Sequence, residues 1–400
     1  FAELTMDSSR FSRRHFLQAS LTTAIATGLG GCWPTDRGSQ IQFLRQSIPT
    51  QLINQFKRQF PQAAGLSFKT ITDLQGSFKQ LETWHNPPPP PSNPISNLPL
   101  IAPAADEPAQ LISLGDRWLS QAIQQQLLHP FDPTRFPQWP SLNPRWQLLG
   151  QRNAQGIPAS TGKLWGIPYR WGTAMMVYTT SNFKNLGWEP KDWSDLWKPE
   201  LRQRIAIVDD PREVIGLTLK KLGYSYNLTN PNSVSALPPA LKELQQQVKF
   251  FSTKYYLQSL LNQDVWLAVG WSNEIVPLLK THSELAAVIP ASGTSLWADL
   301  WGIPAPTTVI DTTYEWLDFS FRPDSLKQMA LFSDGLPVPN TASSSASGSG
   351  SLGDRLFANL PLTSLLRVSP ALLDRCEFLA PLTPASQADY ETLWQTMRTS

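Results

Sequence analysis

Cysteine is almost absent from this 400-residue chain, which has two, Cys32 and Cys376. Two thiols offer neither a disulfide framework nor a cysteine-based metal cluster. Histidine is scarce as well: His15, His85, His129 and His282 are scattered, without the short spacings of a metal site. Neither a metal nor a cofactor is therefore expected. Charged residues make up only 16% and nearly cancel, leaving a formal net charge of +2. A nucleic-acid partner needs a dense basic surface, so that balance argues against one. Also missing are a Gly-x-Ser-x-Gly turn, a phosphate-cradling glycine loop and a His-based acid–base pair. The chain is accordingly not read as an enzyme.

Present in excess are proline and tryptophan, at 36 and 16 residues. Proline favours loops and stiff connections. Tryptophan supplies core bulk, and also flat faces for organic or cationic ligands. With 41% hydrophobic residues, the chain has the composition of a folded protein and the length for two domains.

The first residues look like an address. Ser12-Arg13-Arg14-His15-Phe16-Leu17-Gln18 resembles a twin-arginine export signal. The uncharged stretch over residues 16–31 is too short and too weakly apolar for a permanent span, which takes about 20 apolar residues. It ends in Leu29-Gly30-Gly31-Cys32, which resembles the lipobox of bacterial lipoproteins. That resemblance implies removal of residues 1–31, lipidation of Cys32, a tether over 32–38, and Cys376 left as a single free thiol. The start residue is expected to be Phe1 or Met6.

Beyond the tether, strand-like and helix-like segments alternate, which favours α/β architecture. Residues 39–43 read as a strand. Residues 49–60 read as a helix with Leu52, Ile53, Phe56 and Phe60 on its apolar side. A second helix is expected over 116–128, with Trp118, Leu119, Ile123 and Leu127 aligned. The segment 163–178 is aromatic and β-prone, interrupted by Pro168 and Gly172. Two apolar strands are expected over 205–208 and 265–269. The run of five prolines after Asn86 excludes helix and central strand. The Ser/Gly-rich segment 341–353 reads as a flexible linker.

The strand at 205–208 opens into Asp209-Asp210-Pro211-Arg212-Glu213. Local chemistry explains part of this: Asp210 can cap a helix, Pro211 suits its first position, and Glu213 can close a capping box. The same acids can instead form a ligand site.

Several segments in order resemble the spermidine/putrescine-binding periplasmic proteins. Leu164-Trp165-Gly166-Ile167-Pro168-Tyr169-Arg170-Trp171-Gly172 is similar to that family's first hinge, and Trp193-Ser194-Asp195-Leu196-Trp197-Lys198-Pro199-Glu200 to its next landmark. The Asp-Asp-Pro-Arg-Glu run, Gly270-Trp271-Ser272, Leu296-Trp297-Ala298-Asp299, Phe321-Arg322-Pro323-Asp324 and Leu336-Pro337-Val338-Pro339-Asn340 follow in sequence. The resemblance implies a two-lobed periplasmic-binding-protein fold, α/β, each lobe a mixed sheet flanked by helices and joined by crossing hinge segments. Lobe 1 would comprise residues 39–168 plus 297–335, and lobe 2 residues 169–296 plus 336–400. Amine-binding carboxylates are implied at Asp210, Glu213 and Asp299, stacking tryptophans at Trp271 and Trp297, and further ligand-binding residues at Tyr169 and Trp171. If 297–299 is extended, Trp297 and Asp299 point to the same side.

The family's aromatic and hydroxyl pocket residues after the first strand are replaced here by Leu44, Arg45 and Ser47, and its next cluster by Gly115-Asp116-Arg117-Trp118. A late pocket tyrosine becomes Leu336. Arg45 and Arg117 either face solvent, or pair with Asp116 or other acids, or line a wall that recognises an anion. The implied function is solute capture for an ATP-driven importer, the solute being an amine or a zwitterion. Its other partners would be permease subunits and, through the lipid on Cys32, the membrane, with the protein periplasmic and monomeric. The alternative is a lipoprotein that kept the clamp fold and lost transport, serving as a surface scaffold.

Overall fold

The computed structural model describes residues 39–88, 107–338 and 369–399. The export segment, Cys32, the tether, the proline run from residue 89 onward and the 341–353 linker lie outside the described residues. Among the described residues, the strands of three residues or more are, in chain order, β1 (Gln40–Leu44), β2 (Ser67–Ile71), β3 (Leu111–Gly115), β4 (Ile167–Thr179), β5 (Ile205–Ile207), β6 (Val248–Phe251), β7 (Leu267–Trp271), β8 (Leu285–Val288) and β9 (Ser295–Pro304).

These strands form two mixed sheets that share β4. In the first lobe the order is β2-β1-β3-β9-β4, with β1 parallel to β2 and β3, and β9 antiparallel to β3 and β4. In the second it is β8-β4-β7-β5-β6, with β4 antiparallel to both its neighbours and the remaining pairs parallel. Parallel pairs need a crossover, and helices supply it. Thr50–Gln59 follows β1 and buries Leu52 and Phe56, one turn apart on its inner face. All 13 residues of β4 are buried, because it passes through both lobes.

Each lobe has its own core. Phe56, Phe68, Trp316 and Phe319 pack edge-on or tilted in the first, with Phe56 and Trp316 ring centres 5.2 Å apart. In the second, alternation along β4 sends Met176 and Tyr178 to one face of the sheet and Met175 and Val177 to the other. Both faces are covered, as a continuous apolar run requires. The C-terminal helix Pro384–Thr399 places Tyr390, Leu393, Trp394 and Met397 against the second core. Cys376, a free thiol, is buried in the first. No helix among the described residues is long and apolar enough to cross a membrane.

Two expectations need correction. Pro168 and Gly172 do not interrupt the strand they occupy. Pro168 borders a bulge at Tyr169 of its own strand, where the register against Asp299 and Leu300 slips and the ladder is locally disrupted in any case. The helix expected to reach Leu128 ends at Gln124. Gln126 adopts a left-handed conformation (φ 57°), and Leu128 then pairs with Pro304 in a short strand.

Gly216 lies in the helix Pro211–Lys221, where a Cβ would come 1.9 Å from the ring of the fully buried Tyr226. Gly216→Ala is expected to cost about 1–3 kcal/mol by overpacking. Gly65→Ala, where a Cβ would meet open space, is expected to stay within about 0.5 kcal/mol. Urea denaturation of the two variants checks this, and equal midpoints would contradict it.

Candidate functional site

Where β9 runs antiparallel to β4, Trp297 pairs with Gly172 and Asp299 with Arg170. Residues two apart on a strand share a face, and Trp297 and Asp299 both line one cavity of about 360 Å³. The first lobe contributes Leu44, Asp73, Asp116 and Arg117 to its wall, and the second contributes Glu213, Trp271 and Glu274. The Trp297 ring lies directly over the backbone of Gly172, whose absent Cβ would stand 2.3 Å from it. Glycine is required there by close approach, not by a special backbone angle.

Arg170, placed on the cavity side of β4, is the partner that sequence reasoning missed. Its Nε donates to Asp299 Oδ2 at 2.5 Å, and both side chains are only 2% exposed. Its guanidinium carbon is 5.5 Å from the centre of the Trp297 ring. Burial pushes the Asp299 carboxyl above its ordinary value, and Arg170 pulls it back only in part. Burial also disfavours the guanidinium charge, but Asp299, together with Tyr169 and Asp334, more than offsets this and holds the Arg170 pKa above its ordinary value. Each ion makes the other's burial tolerable, so removing either one leaves an uncompensated charge.

Asp210 does cap the helix Pro211–Lys221: its carboxylate accepts from the backbone N–H of Arg212 at 2.9 Å and of Glu213 at 3.2 Å. Glu213 does not close a capping box. It turns away from the cap and accepts from Ser295 Oγ at 2.6 Å and Trp271 Nε1 at 3.4 Å. Burial, and then the charge of Asp210, push its pKa up to about 7; the two hydrogen bonds lower it only in part.

Of the remaining expected residues, Arg117 reaches across to Asp210 at 3.2 Å, its side chain half exposed. It pairs with an acid, though not with Asp116. Burial raises Asp116 to about 7, against the lowering effects of the Ala298 backbone and the nearby Arg152. Arg45 lines an adjoining cavity of about 410 Å³ together with Glu274, Asp334 and Arg170. Tyr169 and Trp171 stand apart from the cavity wall, on the core side of β4. Tyr169 stacks on Trp301 with ring centres 4.4 Å apart and bonds Ser113 and Ser47. Trp171 donates to the Pro337 carbonyl at 3.1 Å and packs on Trp146. Glu274, which accepts from the Tyr256 hydroxyl at 2.5 Å, was not anticipated. Among the described residues no group of three or more His, Cys, Asp or Glu is arranged to hold a metal ion.

Comparison with known proteins agrees with this architecture. The spermidine/putrescine-binding periplasmic protein of Salmonella typhimurium is 24% identical over 333 residues, 82% of this chain and 84% of that one. The crystal structure of the spermidine/putrescine ABC transporter substrate-binding protein PotD from Streptococcus pneumoniae superposes with a TM-score of 0.69 at 19% identity, covering 90% of this chain and 98% of that one. Thiaminase I from Bacillus thiaminolyticus shares the fold at a TM-score of 0.59 and 13% identity, over 90% and 99% of the two chains. The model of the family described as bacterial extracellular solute-binding protein matches residues 106–350. Two α/β lobes joined by shared strands, with a cavity between them, are what that match describes in three dimensions: the chain belongs to the bacterial extracellular solute-binding protein family.

Proposed function

We propose that this protein captures a small amine-bearing solute, polyamine-like in its chemistry, for an ATP-driven importer. The observation that carries this is the charge of the cleft. Five carboxylates, Asp73, Asp116, Glu213, Glu274 and Asp299, line the main cavity against two guanidinium groups, those of Arg117 and Arg170. A cavity with that excess disfavours anions and offers a desolvated ammonium the counter-charge it needs. Trp271 and Trp297 in the same wall can cover a methylene chain and attract its charge, each contact contributing about 0.5 to 2 kcal/mol. The relative from Salmonella typhimurium is named for binding spermidine and putrescine, which is consistent with that chemistry. Thiaminase I has the same fold, so fold alone does not separate capture from catalysis; the family match favours capture. Nothing favours the scaffold reading.

Capture would work by closure. A solute that touches Glu213 and Trp271 in one lobe and the β9 crossing or the first lobe on the other side stabilises the state in which the lobes are together. The Arg117–Asp210 pair joins the lobes already, and a solute adds to that contact. On this reading the lipobox-like Cys32 ties the protein to the membrane after twin-arginine export. Cys32→Ala is expected to move the protein from the membrane fraction to the soluble fraction, and unchanged membrane association would contradict the anchor.

A thermal-shift screen of polyamines, amino acids and simple amines tests capture. A solute at a hundredfold its Kd adds about 2.7 kcal/mol of stability. No stabilisation by any amine at millimolar concentration would overturn the amine reading. The pH dependence is equally specific. An ammonium binds the ionised form of Glu213, whose carboxyl is held up to about 7. Below that pH, binding must expel a proton, so affinity rises with pH by up to about tenfold per unit between about pH 5.5 and 7, then flattens. Asp116, also raised to about 7, contributes in the same direction. Glu213→Gln is expected to weaken binding and shallow the slope, as read by calorimetric titration. Affinity that falls as pH rises over this range would contradict the assignment.

A further inference from the structure

Two tryptophan–carboxylate pairs face the cleft, and they differ in one respect. At the crossing, Asp299 and Trp297 share a face of β9, and Arg170 serves both, with its Nε 2.5 Å from the carboxylate and its guanidinium carbon 5.5 Å from the ring centre. In the second lobe, Glu213 and Trp271 are joined through the indole N–H at 3.4 Å. Among the described residues, Glu213 has no cation within ion-pair distance; Ser295 and Trp271 are its hydrogen-bond donors. One pair has its cation and the other does not.

We propose that Arg170 is a built-in cation filling the Asp299–Trp297 half of the cleft, so that the solute brings a single ammonium to Glu213 and Trp271 and no positive charge to the other end. This rests on the amine reading above and narrows it to monoammonium solutes. Arg170 is fixed in that role by its surroundings. It is 2% exposed, and its stem is walled by Gly335, where even a Cβ would come 3.2 Å from Arg170 Cδ. A second ammonium entering this end would meet a like charge in a site of low dielectric, with the local carboxylate already engaged. Of the other acids of the wall, Glu274 accepts from the Tyr256 hydroxyl, Asp73 caps a helix at the exposed rim by accepting from Gly76 at 2.6 Å, and Asp116 has Arg117 and Arg152 within electrostatic reach. Arg170 is therefore a specificity-determining residue, one that rejects a diamine's second charge by supplying that charge itself.

The test is calorimetric titration of the full chain at pH 8, where Glu213 is ionised. The probes are butylamine against 1,4-diaminobutane, and hexylamine against 1,6-diaminohexane. In the native protein the diamine is expected to bind no tighter than the monoamine of equal length. Arg170→Met frees Asp299, and the ratio of diamine to monoamine affinity is expected to rise tenfold or more for at least one length. Arg170→Lys, which keeps the charge, is expected to preserve the native ratio. A folded Met variant, checked by circular dichroism, that changes the ratio by less than tenfold at both lengths overturns the proposal. Should that variant not fold, the native ratio decides, and a diamine that binds tighter than its monoamine overturns the proposal. If none of the four amines binds any form, the amine reading itself fails and takes this inference with it. That result is distinct from binding with the wrong charge preference.

Discussion

The buried ion pair between Arg170 and Asp299 joins the two strands on which the cleft is built. β4 and β9 lie side by side at the seam, and this pair sits at their register, with both side chains all but sealed from water. A pair so placed contributes little net stability over a well-packed apolar substitute, yet breaking it by removing one partner is severe. Its consequence is specificity of arrangement. It fixes which residue of β4 stands opposite which residue of β9, and so aims Trp297 into the cavity across the bare backbone of Gly172. At the bulge beside Asp299 the pairing with β4 skips Tyr169, while β9 stays in register with β3 from Asp299 to Gly302.

Around that seam the cleft divides its charges between two lobes. The first lobe brings Arg117 and Asp116 at the start of one helix, and the second brings Asp210 and Glu213 at the start of another. Asp210 is spent on capping and on Arg117. Among the described residues Glu213 is buried with hydrogen bonds and no ion-pair partner, and burial, with the charge of Asp210, pushes its carboxyl up to about 7. An acid held in that condition is costly to ionise in the empty protein and much less so with an ammonium beside it. Binding energy and proton release are thus linked through one side chain.

Much of the fold could be read from the sequence because its signals are local. The Leu52–Phe56 spacing, the apolar run at 205–207 and the cap at Asp210 each depend on neighbours a few residues away. The same face for Trp297 and Asp299 follows from the period of a strand. Arg170 was not legible, although it sits inside the motif Tyr169-Arg170-Trp171. In a strand with both faces buried, the pattern does not say which face meets the core, and the two aromatic residues proved to be on the core side. Knowing that Arg170 faces the cleft requires the register with Asp299, 129 residues away. Glu213 misled for the same reason. Its spacing from Asp210 fits a capping box, but Ser295, 82 residues on, offers it a partner that local spacing cannot foresee.

The most direct measurement is a crystal structure of the protein with an amine soaked or co-purified in the cleft. The account predicts one ammonium nitrogen within hydrogen-bonding reach of the Glu213 carboxylate, the Trp271 ring alongside, and Asp299 still bonded to Arg170. An ammonium seated on Asp299 with Arg170 displaced, or a solute bound away from Glu213 altogether, would contradict it.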